Sequence, residues 1–420
     1  MIQALRGTKD ILPDEIETWH YIYQQAQHIL DLSNYEEIRT PLMEHTSLFE
    51  RSIGNNTDII NKEMYSFIDQ GSRNITLRPE GTASIARAFI SNKMHHKKKI
   101  QRLWYLGPMF RYERPQQGRQ RQFHQLGIEC LGSNNPLADA EVIRLAILIL
   151  KSLEYETYSL EINSIGNAKE RHQYKEKLVD YLEPYMQDLD IDSQKRLYTN
   201  PLRILDTKDY QTQEILSQGP KLQSYLNKDS LKHFHQLCQH LHDLHIKFSI
   251  NHYLVRGLDY YNYTAFEIKN NFLGQQNTIC GGGRYDQLIE QLGGPRTPAV
   301  GWAIGIERLI LTIANTIKNN KNTPIYIAIQ GSKAYGNIWH ILQILEQHNI
   351  RFELDLSNLS FYKQIKKANA LKSEICLIIG DQEIEQHSII IKWLNTGKQK
   401  NIDISQLSNY LYYIKKYLKS

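Results

Sequence analysis

The sequence predicts an α+β domain built on an antiparallel sheet flanked by helices, with a helical insertion, followed by a C-terminal α/β domain. Three observations predict it. Between residues 35 and 131, short segments of alternating polar and apolar residues are separated by turn residues, the texture of antiparallel strands. From 168 to 248 the pattern is almost wholly helical and polar on its outer face. Beyond 325, strands and helices alternate, as in a separate domain with a mostly parallel sheet. A chain of 420 residues is also too long for one ordinary core.

Taken in order, Pro13 and Asp14 open a helix, and Ile16, Trp19, Ile22, Tyr23, Ala26, Ile29 and Leu30 recur at helical spacing. Strands are expected at Glu37–Leu42, Met64–Ile68, Arg73–Leu77, Leu103–Tyr112 and Phe123–Leu131, with helices at 81–93 and 136–153. The insertion, 168–248, is broken by Asn200-Pro201 and Gly219-Pro220. Strand texture returns at Tyr253–Ile268 and Thr278–Gly283, and a helix starts near Gly305. Lys318 to Pro324 is polar and rich in breakers, a linker. After it come strands at Ile325–Gln330, Arg351–Leu354, Ile375–Ile379 and Ile389–Trp393, and helices at 336–349, 361–371 and 404–418. The domain reading is therefore 1–167 with 249–320, an insertion at 168–248, and 325–420.

Bulk properties exclude several classes. No apolar run approaches the roughly eighteen residues of a membrane span, and the longest, Leu145 to Leu150, suits a buried helix. The N-terminus has neither a signal-peptide core nor a transit pattern, so the chain is expected to work where it is made. A net charge of +5 permits a nucleic-acid partner without demanding one. Cys130, Cys238, Cys280 and Cys376 form no CxxC pair, which fits a reducing compartment and excludes a thiolate zinc site. The abundance of Ile, Lys, Asn, Gln and Tyr points to an AT-rich genome, bacterial or organellar. No metal site is expected. His235, Cys238, His242 and His245 share a helical stripe, but Phe234, Leu237, Leu241 and Leu244 beside it make them the polar border of an apolar face.

Neither a GxxxxGK[ST] loop nor a GxGxxG after a strand is present, so any nucleotide site must be built from side chains, for which arginine is suited. The segment Arg102 to Cys130 is densest in such groups. Two alternating strands flank a loop carrying Arg114, Arg119 and Arg121 around Gly118. On the second strand a period of two puts Phe123, Gln125, Gly127 and Glu129 on one face: a stacking ring, an amide, a gap and a carboxylate. The same alternation also describes a half-exposed sheet with a solvated polar face.

Arg111-x-Glu113, the Arg-rich loop and Phe123 resemble the second signature motif of class II aminoacyl-tRNA synthetases. Gly301 to Leu309, with Arg308, resembles the third, and Tyr35, Arg39, Thr40 and Pro41 the first, which in the family builds the dimer interface. Leu254 to Tyr261 and Cys280 to Asp286 are similar to two motifs peculiar to histidyl-tRNA synthetases, and Arg78 to Thr82 to their amino-acid-binding loop. The resemblance runs in order from Arg6 into the C-terminal domain.

It implies a homodimeric enzyme that activates L-histidine with ATP to histidyl-adenylate and pyrophosphate, then transfers histidine to the 3′ end of tRNA(His). It implies that Arg111 and Arg308 grip ATP phosphates, Arg119 the outer ones, that Phe123 stacks on adenine, and that Arg256 sits at the α-phosphate. Mg²⁺ would accompany the ATP. Glu80, Thr82 and Gln125 would take the histidine ammonium, Glu129 and Tyr261 the two ring nitrogens, with Tyr260 and Tyr285 as walls. Arg114 and Gln116 would meet the tRNA acceptor end, and 325–420 would bind the anticodon. Lys363, Lys366 and Lys367 there could contact phosphates or form a solvated helix face. The location implied is a bacterial cytoplasm or a plastid stroma. A regulatory paralogue of histidine biosynthesis, a tRNA-sensing module and a class II synthetase for another amino acid are the rival readings.

Overall fold

The computed structural model describes residues 1–420 except 55, 56, 58, 116, 117, 271–277, 314–322, 358, 419 and 420. Most of the expected linker, 318–322, and the loop residue Gln116 lie outside the described residues. Two units are compact, Met1–Lys318 and Asn319–Ser420.

In the first unit the strands are β1 (Glu36–Glu37), β2 (Met43–His45), β3 (Tyr65–Ile68), β4 (Asn74–Leu77), β5 (Gln101–Phe110), β6 (Gln122–Leu131), β7 (Tyr158–Ser164), β8 (Ser249–Ile250), β9 (Asn262–Asn270), β10 (Thr278–Arg284) and β11 (Ala299–Gly305). The helices are α1 (Pro13–Leu32), α2 (Thr46–Ile53), α3 (Thr82–Ser91), α4 (Pro136–Ser152), α5 (Ala168–Leu182), α6 (Ile191–Arg196), α7 (Tyr210–Ser217), α8 (Lys228–Asp243), α9 (Leu288–Gln291) and α10 (Ile306–Ile313). An eight-stranded sheet runs β1-β5-β6-β11-β10-β9-β7-β8. Its six middle strands are antiparallel, and the two-residue edge strands β1 and β8 pair in parallel. A small sheet, β2-β4-β3, stands beside it.

One face of the main sheet is closed by helices. α1 starts at Pro13 with Asp14 and Glu15 in its first turn, where acids suit the helix dipole, and buries Ile22, Ala26 and Leu30 at four-residue spacing. α4 is capped by Asn135, whose side chain accepts from the Leu137 N–H at 2.9 Å. It buries Val142, Ile143, Leu145, Ala146, Ile147, Ile149 and Leu150, so it is apolar nearly all round and sits deep in the core. α8 adds Phe234, Leu237 and Leu241. The histidine stripe borders this face; among the described residues no group of His, Cys, Asp or Glu is arranged to hold a metal.

The stretch from α5 to α8 is helical, with one link that ties it together. Glu170 is buried on α5, accepts the Asn167 N–H in a capping box, and accepts from Asn227 N (2.7 Å) and Ser230 Oγ (2.8 Å) at the start of α8. Three expectations need correction. β7 was not foreseen, because Tyr158–Ser164 follows a helix without a turn signature. Strand texture at Tyr253–Ile268 becomes strand only from Asn262; 253–261 is a folded loop whose tyrosines cross over the sheet. The expected strand Glu37–Leu42 reduces to β1, the chain leaving the sheet before β2.

In the second unit β12 (Ile325–Gln330), β13 (Phe352–Leu354), β14 (Ile375–Gly380), β15 (Ser388–Trp393) and β16 (Gln399–Asp403) lie in the order β13-β12-β14-β15-β16. The helices are α11 (Ser332–Gln347), α12 (Phe361–Ala370), α13 (Asp381–Glu385) and α14 (Leu407–Leu418). Only β13-β12-β14 is parallel; β15 and β16 are antiparallel, where a mostly parallel sheet was expected. The five-residue α13 is too short for the crossover a parallel strand needs, and β15 returns as β16 through a turn at Gly397, φ +70°.

Candidate active site

The open face of the main sheet carries the site, and strand register decides what stands on it. On β6 the residues Phe123, Gln125, Gly127 and Glu129 alternate with buried Leu126, Ile128 and Cys130 on the opposite face. Across the ladder Gly301, Ala303 and Gly305 of β11 lie opposite Glu129, Gly127 and Gln125. Gly281 and Gly283 of β10 lie opposite Ala303 and Gly301. The middle of this face is therefore a floor of glycine and alanine.

Each of these glycines but Gly305 has a side chain lying on it. A Cβ at Gly281 would stand 2.6 Å from Nη1 of Arg256, one at Gly283 2.9 Å from the Tyr261 ring, and one at Gly301 2.8 Å from Cδ of Glu129. At Gly127 the expected gap is filled: the Tyr105 ring, on the neighbouring strand, would be 2.5 Å from a Cβ there. Tyr105 was missed by sequence reading because only register puts it opposite Gly127.

A cavity of about 230 Å³ lies over this floor. Arg111, Arg119, Arg256 and Arg308, from three separate stretches of chain, all line it, with Glu80, Thr82, Phe123, Gln125, Tyr260 and Tyr261. Arg111 donates from Nε to Pro79 O (2.8 Å), with its guanidinium 5.3 Å from the Phe123 ring centroid. Arg308 donates to Thr278 O (2.7 Å). Burial lowers the pKa of Arg308, and the positive charge of Arg119 adds to it, against Glu113. Arg119 pairs with Glu113 at 3.1 Å. Such crowding of cations favours an anionic ligand.

Arg256 lies across the floor, paired with Glu267, a partner unforeseen from the sequence. Burial pulls its pKa down, but the Glu267 carboxylate outweighs this and the group stays charged. Its Nε is buried without a hydrogen-bond partner in the structure, as is Gln125 Oε1. Unsatisfied buried polar atoms call for an occupant. The first wants an acceptor, and the second wants a donor.

At the amino-acid end, Glu80 accepts the N–H groups of Thr82 (2.7 Å) and Ala83 (2.7 Å) at the start of α3. Tyr260 Oη lies 3.5 Å from it. Glu129 accepts from Thr82 Oγ1 (2.7 Å) and from the Tyr285 hydroxyl. Burial pushes the Glu129 carboxyl up to about 8, the two hydroxyl bonds oppose this, and nearby Glu80 adds to it. Tyr285 is held next to Arg284, a fully buried guanidinium paired with Asp139 and with Asp286 (3.1 Å). Burial disfavours the Asp139 carboxylate, yet Arg284 outweighs this and keeps its pKa far below the usual range; His233 of α8 also bonds it at 3.4 Å. Neither Asp139 nor Glu267 announced itself in the sequence, since both sit within ordinary helix and strand patterns.

Other expected residues lie elsewhere. Arg114 is exposed and does not line the cavity, and Gln116 lies outside the described residues. Arg78 is structural, donating to Pro108 O (3.0 Å) and Thr40 Oγ1 (2.9 Å). In the second unit Lys367 faces Asp355 at 3.5 Å, and Lys363 and Lys366 are exposed.

An antiparallel sheet with helices behind it and a cavity lined by arginines of three separate motifs is the catalytic unit of a class II aminoacyl-tRNA synthetase. Comparison with known proteins narrows this. Residues 7–309 match the family profile described as Histidyl-tRNA synthetase, and residues 324–412 that described as Anticodon binding domain. The chain is 63% identical over 416 residues to the chloroplastic histidine–tRNA ligase of Gracilaria tenuistipitata var. liui, covering 99% of this chain and 98% of that one. It is 52% identical to the histidine–tRNA ligase of Cyanothece sp., covering 97% and 95%. The crystal structure of apo S. aureus histidyl-tRNA synthetase superposes with a TM-score of 0.82 at 37% identity, covering 98% of this chain and 100% of that one. The chain belongs to the histidyl-tRNA synthetase family.

Proposed function

We propose that this chain works as an ATP-dependent histidine–tRNA ligase through the cavity over the glycine floor. The observation that carries the assignment is that Arg111, Arg256 and Arg308 line one cavity with Glu80 and Gln125, next to the buried Glu129. Phe123 stacks on adenine, Arg111 and Arg308 hold phosphate oxygens, and Arg119 takes the outer ones. Arginine suits this because its fork is always charged and matches paired oxygens.

Histidine binds with its ammonium at Glu80, Thr82 and Gln125. Its imidazole lies at Glu129 and Tyr261, walled by Tyr260 and Tyr285. Burial raises the pKa of the Glu129 carboxyl, which suits a hydrogen bond between it and an imidazole nitrogen. An analogue lacking ring nitrogens would leave these buried groups unpaired, which supplies rejection.

The histidine carboxylate oxygen attacks the α-phosphorus, and the bond to the departing pyrophosphate breaks. Arg256 stabilises charge on the non-bridging oxygens from a position fixed before reaction. A terminal ribose hydroxyl of tRNA(His) then attacks the activated carbonyl, and AMP leaves. Arg114 and Gln116 meet the acceptor end, and residues 325–420 take the anticodon. A magnesium ion accompanying ATP would be held by Glu113, a carboxylate of the cavity lining, and would neutralise phosphate charge. The catalytic core is 1–167 with 249–320, and 168–248 is an insertion. Exposed Leu32, Leu42 and Met43 beside the short edge strand β1 suit a homodimer. The chloroplastic and bacterial relatives favour a plastid stroma or a bacterial cytoplasm as its place of work.

The test is pyrophosphate exchange with all twenty amino acids in parallel, for wild type and Arg256→Ala. Exchange with histidine alone, abolished in a folded Arg256→Ala protein, is expected. Undiminished exchange in that variant removes Arg256 from the mechanism.

A further inference from the structure

A second cavity, about 260 Å³, lies behind Arg256, between that loop and the start of the helical stretch 168–248. Arg256 and Leu258 line both cavities. The second is lined by the cations Arg171, Lys175, Arg203 and Arg256, and by a single carboxylate, Asp259. Arg256 is already paired with Glu267. Arg171 donates to a neutral carbonyl, Tyr261 O, rather than to an acid. Lys175, half-buried on α5, has neither a hydrogen bond nor an ion pair within 4.0 Å among the described residues. Arg203 reaches across the loop, where a Cβ on Gly257 would stand 3.3 Å from its Nη1, and it pairs with the exposed Asp206 at 3.6 Å.

The charge balance is therefore unequal, with Asp259 shared among several cations. Burial lowers the Lys175 pKa, Asp259 opposes this, and Arg171 lowers it further. Burial likewise lowers the pKa of Arg171. Keeping cations partly desolvated and close together is unfavourable unless an anion joins them. Apolar side chains such as Leu202, Leu222 and Val255 form part of the wall, so the polar end of the cavity belongs to the cations. Planar guanidinium forks beside an ammonium are the set that binds a phosphate group.

We propose that the cavity lined by Arg171, Lys175 and Arg203 is a phosphate-binding site adjoining the reaction centre. The inference rests on the synthetase reading above, which supplies two phosphate sources beside Arg256. One is a backbone phosphate near the 3′ end of the tRNA, within about a nucleotide of the hydroxyl that must reach the activated carbonyl. The other is the departing pyrophosphate. Both present tetrahedral oxyanions to the same cations.

Lys175 is the residue to change, because removing it orphans no hydrogen-bond partner. Full-length Lys175→Met and Lys175→Arg are compared with wild type, with thermal melts to show that each is folded. Three quantities are read: the KM for tRNA in charging, its salt dependence, and the inhibition constant of inorganic pyrophosphate in the same reaction. For a backbone phosphate, Lys175→Met raises the tRNA KM about tenfold and reduces the salt slope by about one, and Lys175→Arg restores both. For pyrophosphate, the inhibition constant rises instead and the tRNA KM stays. A rise in both means that each phosphate visits the site. If neither moves in Lys175→Met, the cluster serves only to dock the helical stretch and the proposal is overturned. Loss of histidine-dependent exchange in the wild type itself would instead sink the underlying functional reading.

Discussion

Replacing Gly281 by alanine isolates the geometric role of the floor. The new methyl would stand 2.6 Å from Nη1 and 2.7 Å from Cζ of Arg256. Ordinary contact needs about 3.5 Å, so the guanidinium must retreat by roughly 1 Å. Gly281 has no positive φ, so the backbone itself accepts a side chain. Alanine gains about 0.4–1 kcal/mol from the unfolded chain, while overpacking costs about 1–3 kcal/mol. The net loss is about 1–2 kcal/mol, a few degrees in Tm. Chemistry is more sensitive: a misplacement of about 1 Å costs about a hundredfold, close to 2.7 kcal/mol in the barrier. Histidine-dependent pyrophosphate exchange should thus fall about a hundredfold in a protein that melts within a few degrees of wild type. The double variant Gly281→Ala/Arg256→Ala should be no slower than Arg256→Ala alone, because both act through one group. Exchange by Gly281→Ala within about threefold of wild type, or full additivity in the double variant, would refute the placement of Arg256.

Four further outcomes follow from other parts of the molecule. Glu129→Gln should raise the histidine KM about a hundredfold with the ATP KM unchanged, measured by exchange at varied substrate. Because the folded Glu129 pKa is raised to about 8, its contribution is complete below the unfolded value and lost as pH rises; the wild-type Tm should therefore fall relative to Glu129→Gln between about pH 5 and 8. Asp139→Asn leaves Arg284 buried without its main charge partner, and urea unfolding should show a loss of about 3–5 kcal/mol. Deleting 325–420 should spare histidine activation more than tRNA charging, read by exchange and aminoacylation on one preparation; equal loss would contradict the division of labour.

How much of this was legible in the sequence depends on whether a feature is local. The face of β6 that carries Phe123, Gln125 and Glu129 could be read directly, because a strand's period of two is fixed by its own pleat. The occupant of the space above Gly127 could not. Tyr105 belongs to another strand, and its position follows from the pairing Tyr105–Gly127, a property of register. The loop 253–261 reads as strand because Tyr253, Leu254, Val255, Tyr260 and Tyr261 are good strand residues. Packing against the sheet overrides that preference and swings Arg256 over Gly281. In the second unit, β15 and β16 look like any other strands; only the brevity of α13 makes them antiparallel. The Arg284–Asp139 pair was invisible for a similar reason, its members being 145 positions apart.

The bare floor also has a consequence for attempts to redesign the enzyme. A pocket is usually enlarged by shortening the residues beneath a ligand, but Gly127, Gly281, Gly283 and Gly301 have nothing left to remove. Room for a bulkier amino acid must come from the amino-acid end, by altering Thr82, Glu129 and Tyr285, whose hydroxyls and carboxyl bond to one another. Changing one of the three strands the other two, so a new preference requires them to be exchanged as a set.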